Sequence, residues 1–223
     1  SEAGVEYVGI SPWQGDKGDY LEALEGFTKG IPPMVHFTYE AGSVVNAQPG
    51  TTVLAREWKP YFDRNYLHFS SHHQTAWDRP ESHAAVTQRG SVIYIAFPIF
   101  ESYALNSYSV AKQMVANCIA RFLASPLIKT SAPSTAEVTV TEQPGRRIVH
   151  VLHYPAERRA PDLDVVEDVI PLARVRLALR MEHSPSRVYL APQKEDLKLS
   201  YAEGYAHVIV PEVNGHQMVV FEA

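Results

Sequence analysis

Two neighbouring segments decide the predicted fold of the first half of the chain: SVIYIAF at 91–97 and SYSVAKQMVANCIARFLA at 107–124. The first segment is a nearly continuous apolar run, which is typical of a strand covered on both faces. In the second segment Val110, Met114 and Cys118 recur at helical spacing and belong to one apolar stripe. A strand followed by a loop and a helix predicts a layered α/β unit.

Upstream of these segments the pattern is weaker. Asp19–Phe27 predicts a short helix, with the carboxylate of Asp19 as its N-cap. Thr52–Ala55 indicates a strand, but no apolar strand feeding a glycine-rich turn and a helix opens the chain, as a doubly wound sheet requires. We therefore expect the α/β domain to be partial, with its N-terminal part missing.

Downstream the apolar residues alternate with a period of two, as in Val175, Leu177 and Leu179. Turn residues separate the alternating runs, and Asn214-Gly215 predicts a hairpin because both residues tolerate a positive φ. Several short strands in succession predict an antiparallel β-sandwich. The predicted domains are residues 1–128, a linker of small and polar residues at 129–135, and the β-sandwich at 134–223.

Composition excludes several classes of protein. The 223 residues carry a net charge of −5, which disfavours a nucleic-acid or anionic-membrane binder, since either needs a basic face. A single cysteine, Cys118, excludes a disulfide framework, and no apolar run is long enough for a membrane span. The start SEAGVEYVG has no signal-peptide pattern, and we expect a bacterial cytoplasmic location.

The aromatic residues are concentrated before Lys129. Residues 58–77, WKPYFDRNYLHFSSHHQTAW, hold six aromatic side chains and three histidines. Three interpretations stay open: a metal site using His68, His72 and His73, an aromatic loop packed on its own domain, or a loop that presents Tyr, His and Arg groups to a ligand or a neighbouring subunit.

Motifs for nucleophilic or phosphate chemistry are absent from the sequence. There is no G-x-S-x-G elbow, P-loop or dinucleotide turn, and Cys118 lies on the apolar stripe of a helix, as a structural thiol does. The acidic cluster PDLDVVEDV, at 161–169, is best interpreted as a solvated loop. Glu40, Glu57 and Glu101 are candidate carboxylates for glycoside chemistry, but the sequence pairs none of them.

Four stretches together resemble a known group of enzymes: YFDRNYLHFSSHHQT (61–75), RGSVIYIAFPIFESY (89–103), RRIVHVLHYPAERR (146–159) with DVVEDVIPL (164–172), and the ending VIVPEVNGHQMVVFEA. They are similar to the C-terminal half of glycoside hydrolases related to family 42 β-galactosidases and family 151 α-L-fucosidases. The resemblance implies a flavodoxin-like trimerisation domain, similar to class I glutamine amidotransferases, followed by a small β-sandwich. It also implies that the catalytic (β/α)8 barrel lies outside this chain.

The resemblance implies a function of assembly and support within a carbohydrate-active hydrolase, with no catalytic residue, metal or cofactor of its own. The expected partners are further copies of the chain in a homo-oligomer, such as a trimer formed through the α/β domain, the barrel of the same polypeptide, and an oligosaccharide substrate. Tyr61, Arg64, His68, His72 and His73 are then expected to line a subunit interface or the rim of a substrate site.

Two rival functions remain. A small zinc hydrolase would use His68, His72 and His73, and a carbohydrate-binding module would use the β-sandwich. The second rival is weakened because only five aromatic residues follow Lys129 and sugar-binding faces need exposed rings: Tyr154, Tyr189, Tyr201, Tyr205 and Phe221.

Overall fold

A computed structural model describes residues 2–13, 18–71 and 74–223. The chain forms two compact units, Ser1–Ala124 and Ser125–Ala223. No helix in the described ranges is long and apolar enough to cross a lipid bilayer.

The first unit contains seven strands and two helices among its described residues. The elements are β1 Val5–Ile10, β2 Tyr20–Ala23, β3 His36–Phe37, β4 Ser43–Ala47, β5 Thr52–Pro60, β6 Trp77–Arg89, β7 Val92–Ile95, α1 Ile99–Asn106 and α2 Ser109–Phe122. Five strands form one sheet in the order β3-β2-β5-β6-β7, and β1 pairs with β4 in a separate ribbon. Each of these pairings is antiparallel.

The five-stranded sheet has a core on each face, because successive strand residues point to opposite sides. Leu54 of β5 and Ala85 of β6 pack in one cluster with Ala111 and Met114 of α2. Their neighbours Val53 and Ala84 belong to a second cluster, which includes Val5 of β1 and Val45 of β4. The helices therefore cover one face of the sheet, and the β1–β4 ribbon covers the other.

The prediction of an α/β flavodoxin-like, amidotransferase-like domain over residues 1–128 is wrong. The first unit is built mainly of antiparallel strands, and its two helices follow one another on a single face of the sheet. The connections explain the difference: β6 and β7 are joined by a tight turn at Gly90, which has a φ of 57°, whereas parallel strands need a long crossover. The apolar run at 91–97 contributes β7, an edge strand.

The helix predicted over Asp19–Phe27 is also absent. Tyr20–Ala23 instead forms β2, where Tyr20 pairs with Trp58 and Leu21 with Glu57. Tyr20 and Leu21 are buried, so packing between neighbouring strands overrides the helical preference of this short segment. The helix predicted over 107–124 is confirmed as α2 at Ser109–Phe122.

The second unit contains eleven strands. They are β8 Ile128–Thr130, β9 Glu137–Gln143, β10 Arg146–Leu152, β11 Glu157–Ala160, β12 Leu163–Val165, β13 Leu172–Arg180, β14 Arg187–Ala191, β15 Glu195–Asp196, β16 Ser200–Ala202, β17 Tyr205–Val213 and β18 His216–Glu222. Two antiparallel sheets, β15-β14-β18-β10-β9 and β16-β17-β13-β8, pack on a shared core that includes Phe221 and Leu177. Part of the segment predicted as a linker, Lys129 and Thr130, lies in β8 and pairs with β13.

The hairpin predicted at Asn214-Gly215 is not formed. This dipeptide joins β17 in one sheet to β18 in the other, so the chain crosses the sandwich there. A two-residue turn does join β16 to β17 at Glu203-Gly204, where both residues have a positive φ of 52° and 77°. These backbone angles are those of a type I′ hairpin.

Candidate functional site

An acidic cavity of about 320 Å³ lies between the β1–β4 ribbon and the five-stranded sheet of the first unit. The side chains that give it its character are Asp19, Glu57, Glu81, His83, Trp13 and Trp58. Strand pairing brings them together: Leu21, two residues after Asp19, lies opposite Glu57, and Trp58 lies opposite Pro80, next to Glu81. We refer to this cavity as the acidic cavity.

Asp19 is the most buried carboxyl group of the cavity, and each of its carboxylate oxygens accepts one hydrogen bond from the protein. One carboxylate oxygen accepts a hydrogen bond from the Ser11 hydroxyl, and the other accepts from the amide of Gly42 at 2.7 Å. Burial raises the pKa of Asp19 above its usual value, although both hydrogen bonds lower it. A side chain at position 42 would interfere with this contact, because a Cβ there would meet the carbonyl oxygen of Ala96 at 2.5 Å.

Glu57 has the strongest perturbation in the cavity. Desolvation by burial raises its pKa to about 8, and the nearby charges of Asp19 and Glu81 add to the effect. At neutral pH the Glu57 carboxyl group is therefore mostly protonated and can donate a hydrogen bond. The sequence singled out Glu57 as a candidate carboxylate but gave it no partner, since both neighbours are distant along the chain.

The aromatic walls of the cavity are positioned by polar contacts. The indole Nε1 of Trp58 donates to Glu22 at 2.9 Å, and the Arg56 guanidinium lies 5.7 Å from the centre of the Trp58 ring. Trp13 has the ammonium group of Lys59 at 5.4 Å from its ring centre. These contacts hold the rings in defined positions, and a fixed ring can stack on the apolar face of a ligand.

His83 is oriented by a contact of 2.9 Å between its Nδ1 and the side-chain oxygen of Asn46. This contact favours the tautomer in which Nδ1 carries the hydrogen and Nε2 is an acceptor. The cavity thus combines a protonated carboxyl donor, carboxylate and imidazole acceptors, and aromatic walls. Such a set can bind a hydroxyl-rich organic molecule by hydrogen bonds and ring contacts.

The predicted site residues lie elsewhere, in the loop that precedes β6. Tyr61 is 68% exposed, Arg64 is half-buried and His68 is exposed, while His72 and His73 lie outside the described residues. The His68 ring contacts that of Phe62, with 6.1 Å between the centres. The side-chain oxygen of Asn65 accepts from the backbone amides of Leu67 and His68 at 2.9 and 3.0 Å, which gives this part of the loop a defined turn.

The other candidate groups are dispersed. Glu101 is exposed in the first turn of α1, and neither it nor Glu40 lines the acidic cavity. Cys118 is half-buried on α2, where burial raises the pKa of its thiol, as in a structural cysteine. Within residues 2–13, 18–71 and 74–223, no three His, Cys, Asp or Glu side chains are arranged to hold a metal ion. The zinc hypothesis also depends on His72 and His73, which lie outside those ranges.

No family model matches the chain. Among solved structures, α-L-fucosidase isoenzyme 2 from Paenibacillus thiaminolyticus matches 99% of this chain with a TM-score of 0.89 and 29% identity. The β-galactosidases from Bacillus circulans sp. alkalophilus and Rahnella sp. R3 match 99% and 100% of it, with TM-scores of 0.52 and 0.53 and 13% identity, and so share the fold alone.

The chain spans 33% of the fucosidase and 25% and 24% of the two β-galactosidases. The match to the fucosidase covers both units described above, whereas the resemblance in the sequence rested on separate short stretches. The predicted resemblance to the glycoside hydrolases that include family 151 α-L-fucosidases and family 42 β-galactosidases is therefore confirmed.

Proposed function

We propose that this chain is a non-catalytic assembly and support portion of a glycoside hydrolase that removes a terminal galactosyl or fucosyl residue. The class of enzyme follows from the similarity to one third of an α-L-fucosidase. The reaction needs two carboxyl groups on a rigid scaffold facing one cleft, and in this proposal a barrel outside these residues supplies them.

The observation that carries the proposal is the exposed apolar surface of the loop before β6. Tyr66 is 86% exposed, Phe69 73%, and Tyr61 and Leu67 68% each. Large apolar side chains gathered in one loop mark a contact surface, since a monomeric protein rarely leaves such a patch in water. We call these four residues the loop patch. In this proposal Tyr61, Arg64, His68, His72 and His73 line a subunit interface or the rim of a substrate site.

The loop patch is tested by the double substitution Tyr66→Ser and Phe69→Ser. We expect this variant to lose self-association in sedimentation velocity, because it removes two large rings from the interface. The matched control is Phe100→Ser, which removes a side chain of equal exposure, 73%, from α1. If the loop variant associates as the wild type does, or if the control dissociates equally, the loop patch is not the interface.

The histidines are tested in the protein that joins this chain to a catalytic barrel. Alanine at both His72 and His73 is expected to lower turnover of aryl galactosides or fucosides, or to dissociate the oligomer. Unchanged turnover together with an unchanged oligomer would contradict the assignment. Hydrolysis of the same substrates by the 223-residue chain alone would contradict its non-catalytic role.

The acidic cavity favours a second function, the binding of a sugar by the first unit. Asp19, Glu57 and Glu81 supply hydrogen-bonding groups, and Trp13 and Trp58 supply rings for stacking. Titration of the chain with galactose and with fucose, followed by tryptophan fluorescence, tests this function. The sugar-binding function is supported if either sugar binds and the substitution Trp13→Ala abolishes that binding. It is excluded if neither sugar binds.

A further inference from the structure

A groove of the second unit lies on the four-stranded sheet and is lined largely by basic and apolar residues. Its volume is about 680 Å³, and it is formed by β8, β13 and β17 together with the segment that enters β16. Lys129, Arg176, Lys198 and His207 line it, and none of the described residues that line it carries a carboxylate. We call this surface the basic groove.

The floor of the basic groove is apolar. Ile209 is 44% exposed there, and Ala178 and Leu199 complete the apolar lining. None of Lys129, Arg176 and Lys198 takes part in an ion pair within the described residues. Lys129 is instead held 3.9 Å above the ring of Tyr205 by a cation–π contact. The groove therefore offers positive potential around an apolar surface.

The chain itself carries a segment of the opposite character. Residues 162–170, DLDVVEDVI, contain four acidic and five apolar residues and no basic one. Leu163, Val166, Val169 and Ile170 are all exposed, and Val166–Ile170 belongs to no strand. The segment lies in the same unit as the basic groove but does not line it, so it does not occupy the groove of its own chain. We call it the acidic segment.

From this complementarity we propose that the basic groove binds the acidic segment of a second copy of the chain. The contact is heterologous, since two different surfaces meet. It brings Asp162 and Asp168, the two carboxylates of the segment that form no ion pair within the described residues, to the groove lined by Lys129, Arg176, Lys198 and His207. The exposed apolar side chains of the acidic segment are buried on the floor around Ile209 in the same step. The proposal rests on the second unit alone and does not depend on the loop patch.

Charge reversal tests the contact without touching the core. The groove variant is Arg176→Glu with Lys198→Glu. Lys129 is left unchanged because its side chain packs on the ring of Tyr205. The segment variant is Asp162→Lys with Asp168→Lys, which spares Asp164 and Glu167 because they pair with Arg158 and Arg159. We expect each variant to weaken self-association in sedimentation velocity at least about tenfold, since like charges then face each other. Wild-type association should also weaken as salt is added.

Mixing the two variants is the decisive measurement. The reversed groove of one chain then faces the reversed segment of the other, and we expect association close to the wild-type level. Failure of the mixture to associate, or a wild type that stays monomeric, overturns the proposal. The proposal is also overturned if an unrelated acidic peptide or an acidic oligosaccharide binds the basic groove while the segment variant self-associates as strongly as the wild type.

Chemical cross-linking of wild-type chains provides a second measurement, which does not depend on whether any variant folds. In an equal mixture of ¹⁴N- and ¹⁵N-labelled wild-type chains, a carbodiimide should join Lys198 of one chain to Asp168 of the other and give mixed-isotope cross-links. Cross-links confined to one isotope would exclude the contact between copies. Because the loop-patch variants lie in the first unit, a loss of association in one set of variants and not in the other separates this proposal from the proposed function.

Discussion

At the scale of single residues, Glu57 makes the stability of the folded chain depend on pH. Its pKa is raised from 4.5 to about 8 in the folded state, so between these values the folded state binds a proton that the unfolded state has lost. The free energy of unfolding therefore falls as the pH rises through this window, and the loss is complete above it. We expect Glu57 to account for about 2–4 kcal/mol of this loss.

Substitution isolates this contribution. Glu57→Gln keeps a hydrogen-bonding group but cannot ionise, so we expect it to be more stable than the wild type at pH 8 and similar at pH 5. Urea unfolding across this range measures the difference between the two proteins. The control is Glu25→Gln, which changes an exposed glutamate and should follow the wild-type curve. A Glu57→Gln curve parallel to the wild type at all pH values would show that Glu57 ionises normally.

The acidic cavity also shows which site residues a sequence can reveal. Glu57 could be noticed as one carboxylate among several, but its partners Asp19 and Glu81 are brought to it by strand pairing across long stretches of chain. Asp19 had a local explanation as a helix cap, and this explanation fails because the following residues form a strand. Charged residues that come together only in the folded structure have no fixed spacing in the sequence, so no sequence motif identifies them.

At the scale of elements, segment length separates the correct predictions from the wrong ones. The helical pattern of 107–124 repeats over several turns, and α2 forms there. The pattern of Asp19–Phe27 spans about two turns, and pairing with β5 converts it to β2. The alternating run of Val175, Leu177 and Leu179 forms β13, as its period of two predicts, but its own residues do not indicate which strands pair with it. The prediction of a hairpin at Asn214-Gly215 is wrong for the same reason, since β17 and β18 belong to different sheets.

At the crossover of Asn214-Gly215, we expect alanine in place of Gly215 to destabilise the protein more than alanine in place of Gly204. Gly215 has a φ of 71°, and a Cβ there would lie 2.5 Å from the Tyr154 hydroxyl oxygen, whereas Gly204 has a φ of 77° and open space around it. Alanine at either position has to adopt a left-handed backbone, at a cost of about 1–2 kcal/mol. Gly215→Ala should lose about 1–3 kcal/mol more than Gly204→Ala, since it also displaces the Tyr154 ring.

Thermal or urea unfolding of the two alanine variants measures this difference. Equal losses would mean that the Tyr154 ring moves aside without cost, and that the contact over Gly215 does not fix the crossover. In a double-mutant cycle, Gly215→Ala should cost less stability in a Tyr154→Ala background than in the wild type, because Tyr154→Ala removes the atoms that the new Cβ meets.

At the scale of the whole molecule, the two units have separate hydrophobic cores. One core, which includes the fully buried Phe221, takes its residues from Ile128 onward, and the core that includes Met114 takes its residues from Leu21 to Cys118. The first unit also holds a row of aromatic contacts. The rings of Tyr20, Phe37, Tyr39 and Tyr108 follow one another with 5.1–5.3 Å between the centres of successive rings. The aromatic excess before Lys129 thus serves packing as well as the loop patch.

Separate cores predict that a cavity in one unit is felt mainly within that unit. Phe221→Ala should lower stability by about 3–5 kcal/mol and Met114→Ala by about 2–5 kcal/mol, as buried large-to-small substitutions do. Hydrogen exchange followed by mass spectrometry should then show faster exchange in β10, β14 and β18 for Phe221→Ala, and in α2, β5 and β6 for Met114→Ala, because local opening follows the packing of each core. Equal acceleration across both units in either variant would mean that the chain opens as a single cooperative body, and the two cores would then have to be treated as one folding unit.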